Sequence, residues 1–173
     1  MQIDYIDPAE IFIEPTYKAP LGSILLQSLA GTTQTPRLIA SVPATYDPTE
    51  LLTMYVKLAA IDDGGFQFKD GNIDDPAVGL VGWRFEVDPR SARHPQSVTP
   101  APGDLLRHRD AWLLMVLNDQ GQLRGLELSE SRSWPLPRPS ATSAGFSNWR
   151  IVKDVARKEE PVVVYEHVQP RTP

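Results

Sequence analysis

Residues 102–130 contain three short apolar segments separated by tight polar turns, and this pattern constrains the fold more than any other part of the chain. A Pro-Gly-Asp turn leads into Leu105–His108, and Arg109-Asp110 connects that segment to an apolar run over 111–117. An Asn-Asp-Gln-Gly turn follows, and leucines then alternate through 123–128. Alternating segments bounded by turn residues are typical of an antiparallel meander, so the sequence predicts three strands here.

Seventeen prolines, about 10% of the chain against a usual ~5%, limit the regular structure that can form. Each proline lacks an amide hydrogen and has a fixed φ, so long helices and unbroken central strands cannot dominate. Residues 88–103 contain four prolines and no periodic pattern, and residues 134–148 read WPLPRPSATSAGFSN. We therefore predict two long proline-rich loops, one on each side of the meander.

The residues Asp47-Pro48-Thr49-Glu50 have the arrangement of a helix start, with an N-cap, a proline at the first helical position and a glutamate at the third. Apolar residues follow on one helical face as far as Ala59, which predicts a helix over about 48–61. A second, short helix is predicted over about 22–30, because leucines and Ile24 lie at helical spacing before Gly31. A strand is the alternative for this second segment.

These elements predict an α+β fold that is strand-rich, with a mainly antiparallel sheet or small barrel, the two helices and the two loops. Further strands are expected over 37–42, 78–87, 149–155 and 161–168. No internal repeat or domain boundary is visible. We expect a single domain over 1–173, with an extended N-terminal segment (about 1–20) and a C-terminal tail (about 169–173).

Composition excludes some classes of function. Seventeen Lys and Arg against twenty-two Asp and Glu give a net charge of −5, which argues against a dedicated DNA-binding domain and against nucleic acid as a partner. The absence of cysteine excludes thiolate nucleophiles, disulfides and cysteine-ligated metals. The N-terminus lacks the pattern of a signal peptide, and no apolar run is long enough for a transmembrane segment. We expect a soluble protein, cytoplasmic or within an assembled particle, with no membrane partner.

Two stretches resemble catalytic or metal motifs but lack the residues that the chemistry needs. The kinase-like letters His108-Arg109-Asp110 require an Asn five positions later, where Met115 stands. Three side chains match positions 1, 3 and 5 of a calcium loop, but Asp75 replaces the required glycine and Val81 the required glutamate. The three side chains are Asp70, Asn72 and Asp74. A strand turn and a solvated acidic turn are the preferred interpretations.

Other chemistry-bearing residues are scattered. His94, His108 and His167 lie far apart without metal-ligand spacing, and no Gly-x-Ser-x-Gly or phosphate-binding glycine loop is present. Several arginines and two tryptophans are of the types that grip single-stranded nucleic acid, but interleaved carboxylates favour a solvated sheet face. These are Arg84, Arg90, Arg93, Arg107, Arg109, Arg124, Trp83 and Trp112. We predict no catalytic residue, no cofactor and no metal site.

The function favoured by this pattern is structural. We predict a non-catalytic assembly protein that packs against other protein subunits, homo- or hetero-oligomeric, such as a virion capsid accessory, neck or tail component. A small-barrel binding module for peptide or nucleic acid is the alternative, and a hydrolase with a dispersed Asp/Glu/His site is the third. The predicted interface residues are apolar or aromatic side chains in segments without a core-facing period: Tyr17, Trp134, Phe146 and Tyr165.

Overall fold

A computed structural model of the chain describes most of its residues, and the strands are numbered in chain order. The described residues are 11–15, 18–28, 33–44, 47, 49–71, 76–93, 99–129, 132–134, 144–154 and 160–169. The strands are β1 (Ile11–Pro15), β2 (Ile24–Ser28), β3 (Thr33–Pro43), β4 (Leu51–Lys57), β5 (Phe68–Asp70), β6 (Pro76–Leu80), β7 (Arg84–Val87), β8 (Ala92–Arg93), β9 (Leu105–His108), β10 (Ala111–Leu117), β11 (Leu123–Glu127), β12 (Arg132–Trp134), β13 (Ala144–Phe146), β14 (Asn148–Lys153) and β15 (Val162–Val168). The described residues also contain two short 3-10 turns, Ile61–Asp63 and Pro89–Ser91.

The strands form two mainly antiparallel sheets. The large sheet has the order β1-β6-β2-β3-β12-β11-β10-β9-β13-β8, and β4 joins β3 on its other side and carries β5. The small sheet has the order β15-β14-β7. The exceptions to antiparallel pairing are Arg132 with Ser41, between β12 and β3, and the bridge of Gln67 with Leu117.

Part of the large sheet closes on itself. Pairing runs from β3 to β4 and β5, across the Gln67–Leu117 bridge to β10, and then through β11 and β12 back to β3. The amide of Leu117 donates to the carbonyl of Phe66 at 2.8 Å, which secures the bridge. The ring strands are therefore paired on both sides over part of their length, and two single-residue contacts complete the closure.

The main core lies between this ring and the small sheet. Buried side chains from both sheets form one cluster, in which Trp149 and Ile151 of β14 pack with the inward residues of the ring. Five strands of the ring contribute Leu38, Ala40, Val56, Phe68, Leu114, Val116 and Leu126. Two smaller clusters lie elsewhere: one is formed by Ala19, Leu25, Ile39 and Ala77, and the other by Leu106, Leu113 and Met115.

The predicted helix over 48–61 is wrong, and so is the α+β class that depended on it. Residues 51–57 are strand β4, which pairs along its whole length with β3. The apolar side chains Met54, Val56 and Leu58 recur at every second position and face the main core, so the decisive period is 2 and not 3.6. The helix-start signal is instead a turn, since the Asp47 carboxylate accepts bonds from the amide and hydroxyl of Thr49 at 2.9 and 2.6 Å.

The predicted helix over 22–30 is wrong as well. Residues 24–28 are strand β2, which lies between β3 and β6. Ile24 and Leu26 face the main core, whereas Leu25 is buried in a separate cluster on the opposite face. A strand covered on both faces has a continuous apolar run, which periodicity alone does not distinguish from a buried helix.

The two predicted loops are interrupted by short strands that pair with each other. β8 lies within 88–103 and β13 within 134–148, with Gly145 opposite Arg93 and Phe146 opposite Ala92. Both pairs fall at positions without proline, so their amides are available for a ladder. Residues 94–98 and 135–143 lie outside the described residues.

The meander and the two closing strands are confirmed. β9, β10 and β11 pair in sequence, and β14 pairs with β15. The single strand predicted over 78–87 is divided, because β6 belongs to the large sheet and β7 to the small one. Gly82 lies between them with φ +68°, a backbone conformation that glycine adopts without the steric cost of a Cβ.

Candidate functional site

Strand β15 lies at one side of the small sheet, and among the described residues it pairs with β14 alone. Its sequence, VVVYEHV, is rich in β-branched and aromatic residues, which favours an extended conformation. Tyr165 to Val168 pair regularly with β14, whereas Val164 is an extra residue between the pairs Tyr165–Ile151 and Val163–Val152. β15 therefore has a bulge near its start and a regular second half.

The two faces of β15 have different surroundings. Val163 and Val168 are exposed, with 44% and 60% of their surface accessible, and Glu166 is exposed between them. Tyr165 and His167 point the other way and pack against Phe66 and Trp149. We call these four inward residues the Trp149 cluster.

The Trp149 cluster connects the two sheets. Trp149 is 2% exposed, and its indole nitrogen donates to the carbonyl oxygen of Gly103 at 2.7 Å. The ring of Phe66 meets Trp149 edge-on with centroids 6.1 Å apart, and it meets His167 edge-on at 4.8 Å. Edge-to-face contacts of this kind add stability beyond the burial of the rings.

His167 is held in a low-dielectric setting. Burial lowers its pKa to about 4, because the charged imidazolium would lose its hydration. Its buried Nε2 atom has no hydrogen-bond partner among the described residues, and it would lie 2.9 Å from a Cβ on Gly103. Burial also raises the pKa of Tyr165 to about 12. Both side chains are therefore neutral near pH 7 and behave as parts of the core.

Asp104 stabilises the turn beside this cluster. One of its carboxylate oxygens accepts from the amide of Ala101 at 2.8 Å, and the other accepts from the Gln169 side chain at 3.0 Å. Burial raises the pKa of Asp104. The bond to Gln169 ties the end of β15 to the start of the meander.

Charged residues on the small sheet are paired with one another. Glu86 lies between Arg84 and Arg150, at 2.9 Å and 2.7 Å, and Arg84 also contacts Asp154 at 2.6 Å. A surface cavity of about 320 Å³ lies beside Glu86, Arg150 and Glu166. These pairs are largely exposed, so their net effect on stability is small.

The structure separates the predicted interface residues. Tyr17 lies outside the described residues, and the side chain of Trp134 does too, although its backbone pairs with Gly125 in the large sheet. The ring of Phe146 lies 5.5 Å from that of Trp112, and Tyr165 belongs to the Trp149 cluster. Both are half-buried against the main core. Their role at an interface remains a prediction.

Sequence reasoning missed the exposed residues of β15, Val163 and Val168. The signal was available, since the run over 162–168 was predicted as a strand, and alternation within it separates an inward from an outward face. The bulge at Val164 shifts that alternation by one residue, and a bulge leaves no mark in this sequence.

Other candidate motifs have ordinary structural positions. His108 ends β9, and Arg109-Asp110 is the tight turn into β10, as predicted, with Arg109 at φ +54°. His94, Asn72, Asp74 and Asp75 lie outside the described residues. Within the described residues no group of three or more His, Asp or Glu side chains could hold a metal ion. The same residues contain no helix long and apolar enough to cross a membrane.

The fold and surface together define a protein of two mainly antiparallel sheets with an apolar strand at one sheet edge. The chain belongs to the family described as "Uncharacterised protein y4lG", whose model matches residues 56–171. That match spans β5 to β15 and so includes the meander, the Trp149 cluster and the edge strand. No curated protein and no solved structure shows a significant match to the chain.

Proposed function

We propose that this protein is a non-catalytic assembly subunit that binds other protein subunits by adding a strand at β15. The observation that carries the proposal is the position of β15, a seven-residue strand that pairs with β14 alone among the described residues. An edge strand presents unpaired N–H and C=O groups, which are a template for a strand from another chain.

The composition of β15 supports this proposal. Proteins that keep an edge strand from pairing usually place lysine or proline on it, and β15 contains neither. Its one charged residue is Glu166, and exposed Val163 and Val168 lie on either side of it. The bulge at Val164 leaves the backbone from Tyr165 to Val168 regular, and hence suited to pairing.

The packing behind β15 supports it further. Tyr165 and His167 are fixed against Trp149 and Phe66, so the strand is ordered before a partner arrives. Less conformational entropy is then lost on association, and more of the interaction energy contributes to affinity.

A second copy of this chain fits the edge. Two β15 strands can pair antiparallel through the regular half that follows the bulge, Tyr165 to Val168. Such a pair is an isologous contact of the kind that two-fold dimers use. A virion is one assembly in which such a small β-rich subunit would work, as a capsid accessory, neck or tail component.

The proposal is tested by measuring the mass of the full chain across a concentration series by sedimentation velocity. We expect a wild-type dimer and a monomeric Val163→Lys/Val168→Lys variant, because lysines on both sides of the edge repel each other across the pair. The matched control is Leu51→Lys/Leu52→Lys, whose target residues are each 44% exposed on β4, in the large sheet, where β4 pairs with β3 along its whole length.

The control variant should still dimerise. A wild-type chain that remains monomeric at every concentration contradicts the pairing of two copies. In that case a peptide copying 161–169 is titrated into the wild-type chain, because a free edge should still bind an extended strand. Failure of both measurements contradicts the assembly proposal as a whole.

A further inference from the structure

The outer faces of β3, β4 and β5 form a concave basic surface on the side of the ring away from the main core. A cavity of about 450 Å³ opens there, and its lining includes Arg37, Lys57, Lys69 and Tyr55. We call these four residues the basic groove. Among the described residues that line the cavity there is one carboxylate, that of Asp63, against three cations, in a chain whose net charge is −5.

Strand register brings the three cations together. Arg37 lies directly opposite Lys57 in the β3–β4 pair, and Lys69 lies opposite Tyr55 in the β4–β5 pair. Directly opposed side chains have Cβ atoms about 5 Å apart, and diagonal neighbours such as Lys57 and Lys69 are about 7–8 Å apart. Like charges directly opposite each other are unfavourable in a sheet, and the register places Arg37 and Lys57 in that relation.

The lysine ammonium groups are positioned by neutral acceptors. Lys57 Nζ donates to the backbone carbonyl of Asp63 at 2.9 Å, and Lys69 Nζ donates to the side-chain oxygen of Gln67 at 3.1 Å. The salt bridges between described residues all lie in and beside the small sheet. These hydrogen bonds orient each lysine without neutralising its positive charge, which can still attract an anionic ligand.

Arg37 is positioned by an aromatic ring. Its guanidinium carbon lies 4.8 Å from the centre of the Tyr55 ring, a cation–π contact that fixes the plane of the guanidinium. Tyr55 is itself packed against the buried cluster that contains Ile39, so the platform is rigid. A planar guanidinium beside two ammonium groups matches the geometry in which proteins hold phosphate oxygens.

We propose that the basic groove binds a small phosphate-bearing ligand, such as one with a diphosphate or triphosphate group. The three cations span three neighbouring strands, a width of about 10 Å, which suits a short chain of phosphates. The net charge of −5 repels a long polyanion, and this favours a small ligand over a nucleic acid strand. This inference is independent of strand addition at β15.

The direct test is calorimetric titration of inorganic tripolyphosphate into the full chain at low ionic strength. We expect saturable binding of one ligand per chain. The double variant Lys57→Gln/Lys69→Gln should bind about tenfold or more weakly, since each substitution removes a charge-assisted hydrogen bond to the ligand. The matched control is Arg90→Gln/Arg107→Gln, which removes the same number of charges from exposed positions outside the groove. Its affinity should stay within about twofold of the wild type.

Thermal unfolding separates loss of the site from loss of the fold. Tripolyphosphate should raise the Tm of the wild type and of the control, but not that of the groove variant. Without ligand, the groove variant and the control variant should both melt close to the wild-type temperature, because charged pairs near the surface contribute little to stability. A groove variant that melts lower without ligand and still binds tripolyphosphate overturns the assignment.

Two further outcomes also overturn the proposal. One is a wild-type titration with no saturable heat, and the other is equal weakening in the groove and control variants. A single-stranded oligothymidylate is titrated in parallel, to compare its affinity with that of tripolyphosphate. If it binds more tightly than tripolyphosphate and is not displaced by it, the groove recognises nucleic acid and the assignment of a small ligand is wrong.

Discussion

The indole nitrogen of Trp149 donates a hydrogen bond of 2.7 Å to the backbone carbonyl of Gly103, across 46 positions of sequence. Trp149 belongs to β14 in the small sheet, and Gly103 belongs to the turn that leads into β9 in the large sheet. The bond is buried, so both of its groups would be left without water if either were removed. It is therefore a principal attachment between the two sheets.

Replacing Trp149 by Phe should lower the free energy of unfolding by about 2–4 kcal/mol, because the Gly103 carbonyl loses its donor and the core loses volume. Urea denaturation followed by far-ultraviolet circular dichroism measures this. Trp83→Phe is the matched control, since its indole also donates to a backbone carbonyl, that of Gly22, at 2.8 Å, but in a half-buried position. An equal loss of unfolding free energy in both variants would contradict a distinct role for the Trp149–Gly103 bond in joining the two sheets.

Gly103→Ala should cost about 2–4 kcal/mol of stability. The residue has φ +91°, and a Cβ would lie 2.9 Å from the His167 ring and 2.9 Å from Phe66. Gly121→Ala is the control, because Gly121 has a similar φ of +72° with nothing within 4 Å of a new Cβ. The difference in stability between the two variants isolates the steric cost of the new Cβ from the cost of a positive φ, which both share. If the two cost the same, the contact between Gly103 and His167 is not tight.

Stability should fall as the pH is lowered from about 6.5 to about 4. The folded chain lowers the pKa of His167 from 6.5 to about 4, so in this window the unfolded chain binds a proton that the folded chain does not. The contribution of His167 is thus fully present above 6.5 and is lost towards 4, by roughly 2–3 kcal/mol. Burial raises the pKa of Asp104, whose contribution has the opposite sign because the folded chain favours its neutral form.

The His167 term is therefore measured as a difference. The pH dependence of urea unfolding is compared between the wild type and His167→Phe, both of which retain Asp104. The variant should show a flatter decline between 6.5 and 4. Parallel curves would show that His167 is solvated in the folded protein.

Met54→Ala and Val56→Ala distinguish the strand at 51–57 from a helix. Both side chains pack in the main core, so we expect each substitution to lower the free energy of unfolding by about 1–3 kcal/mol. In a helix, residues two apart would lie on different sides, and only one of them would face the core. A loss in one variant and none in the other, measured by urea unfolding, would contradict the assignment of β4.

The sequence by itself determined the meander and the closing strands. In β9, β10 and β11 the alternation, the turn residues and the strand lengths all indicate the same structure, and neighbouring strands are joined by short turns. Local chemistry is sufficient there because each strand pairs with its neighbour in sequence. The tight turn at Arg109 follows from the same local information.

Tertiary structure decided the segments over 24–28 and 51–57, and with them the fold class. Ile24, Leu25 and Leu26 are apolar in succession because sheet neighbours and separate cores cover both faces of β2. Met54, Val56 and Leu58 became a strand because β3 and β5 offered ladders on both sides, and the turn at Asp47 used the helix-start residues for another purpose.

The candidate surfaces also depend on contacts that are distant in sequence. Arg37 and Lys57 oppose each other only because β3 pairs with β4 in one register. His167 becomes a neutral core residue only because Gly103 and Phe66 are brought against it. Local sequence specifies which residues can form a strand, whereas burial and register, which are properties of the assembled sheets, specify what each residue then faces.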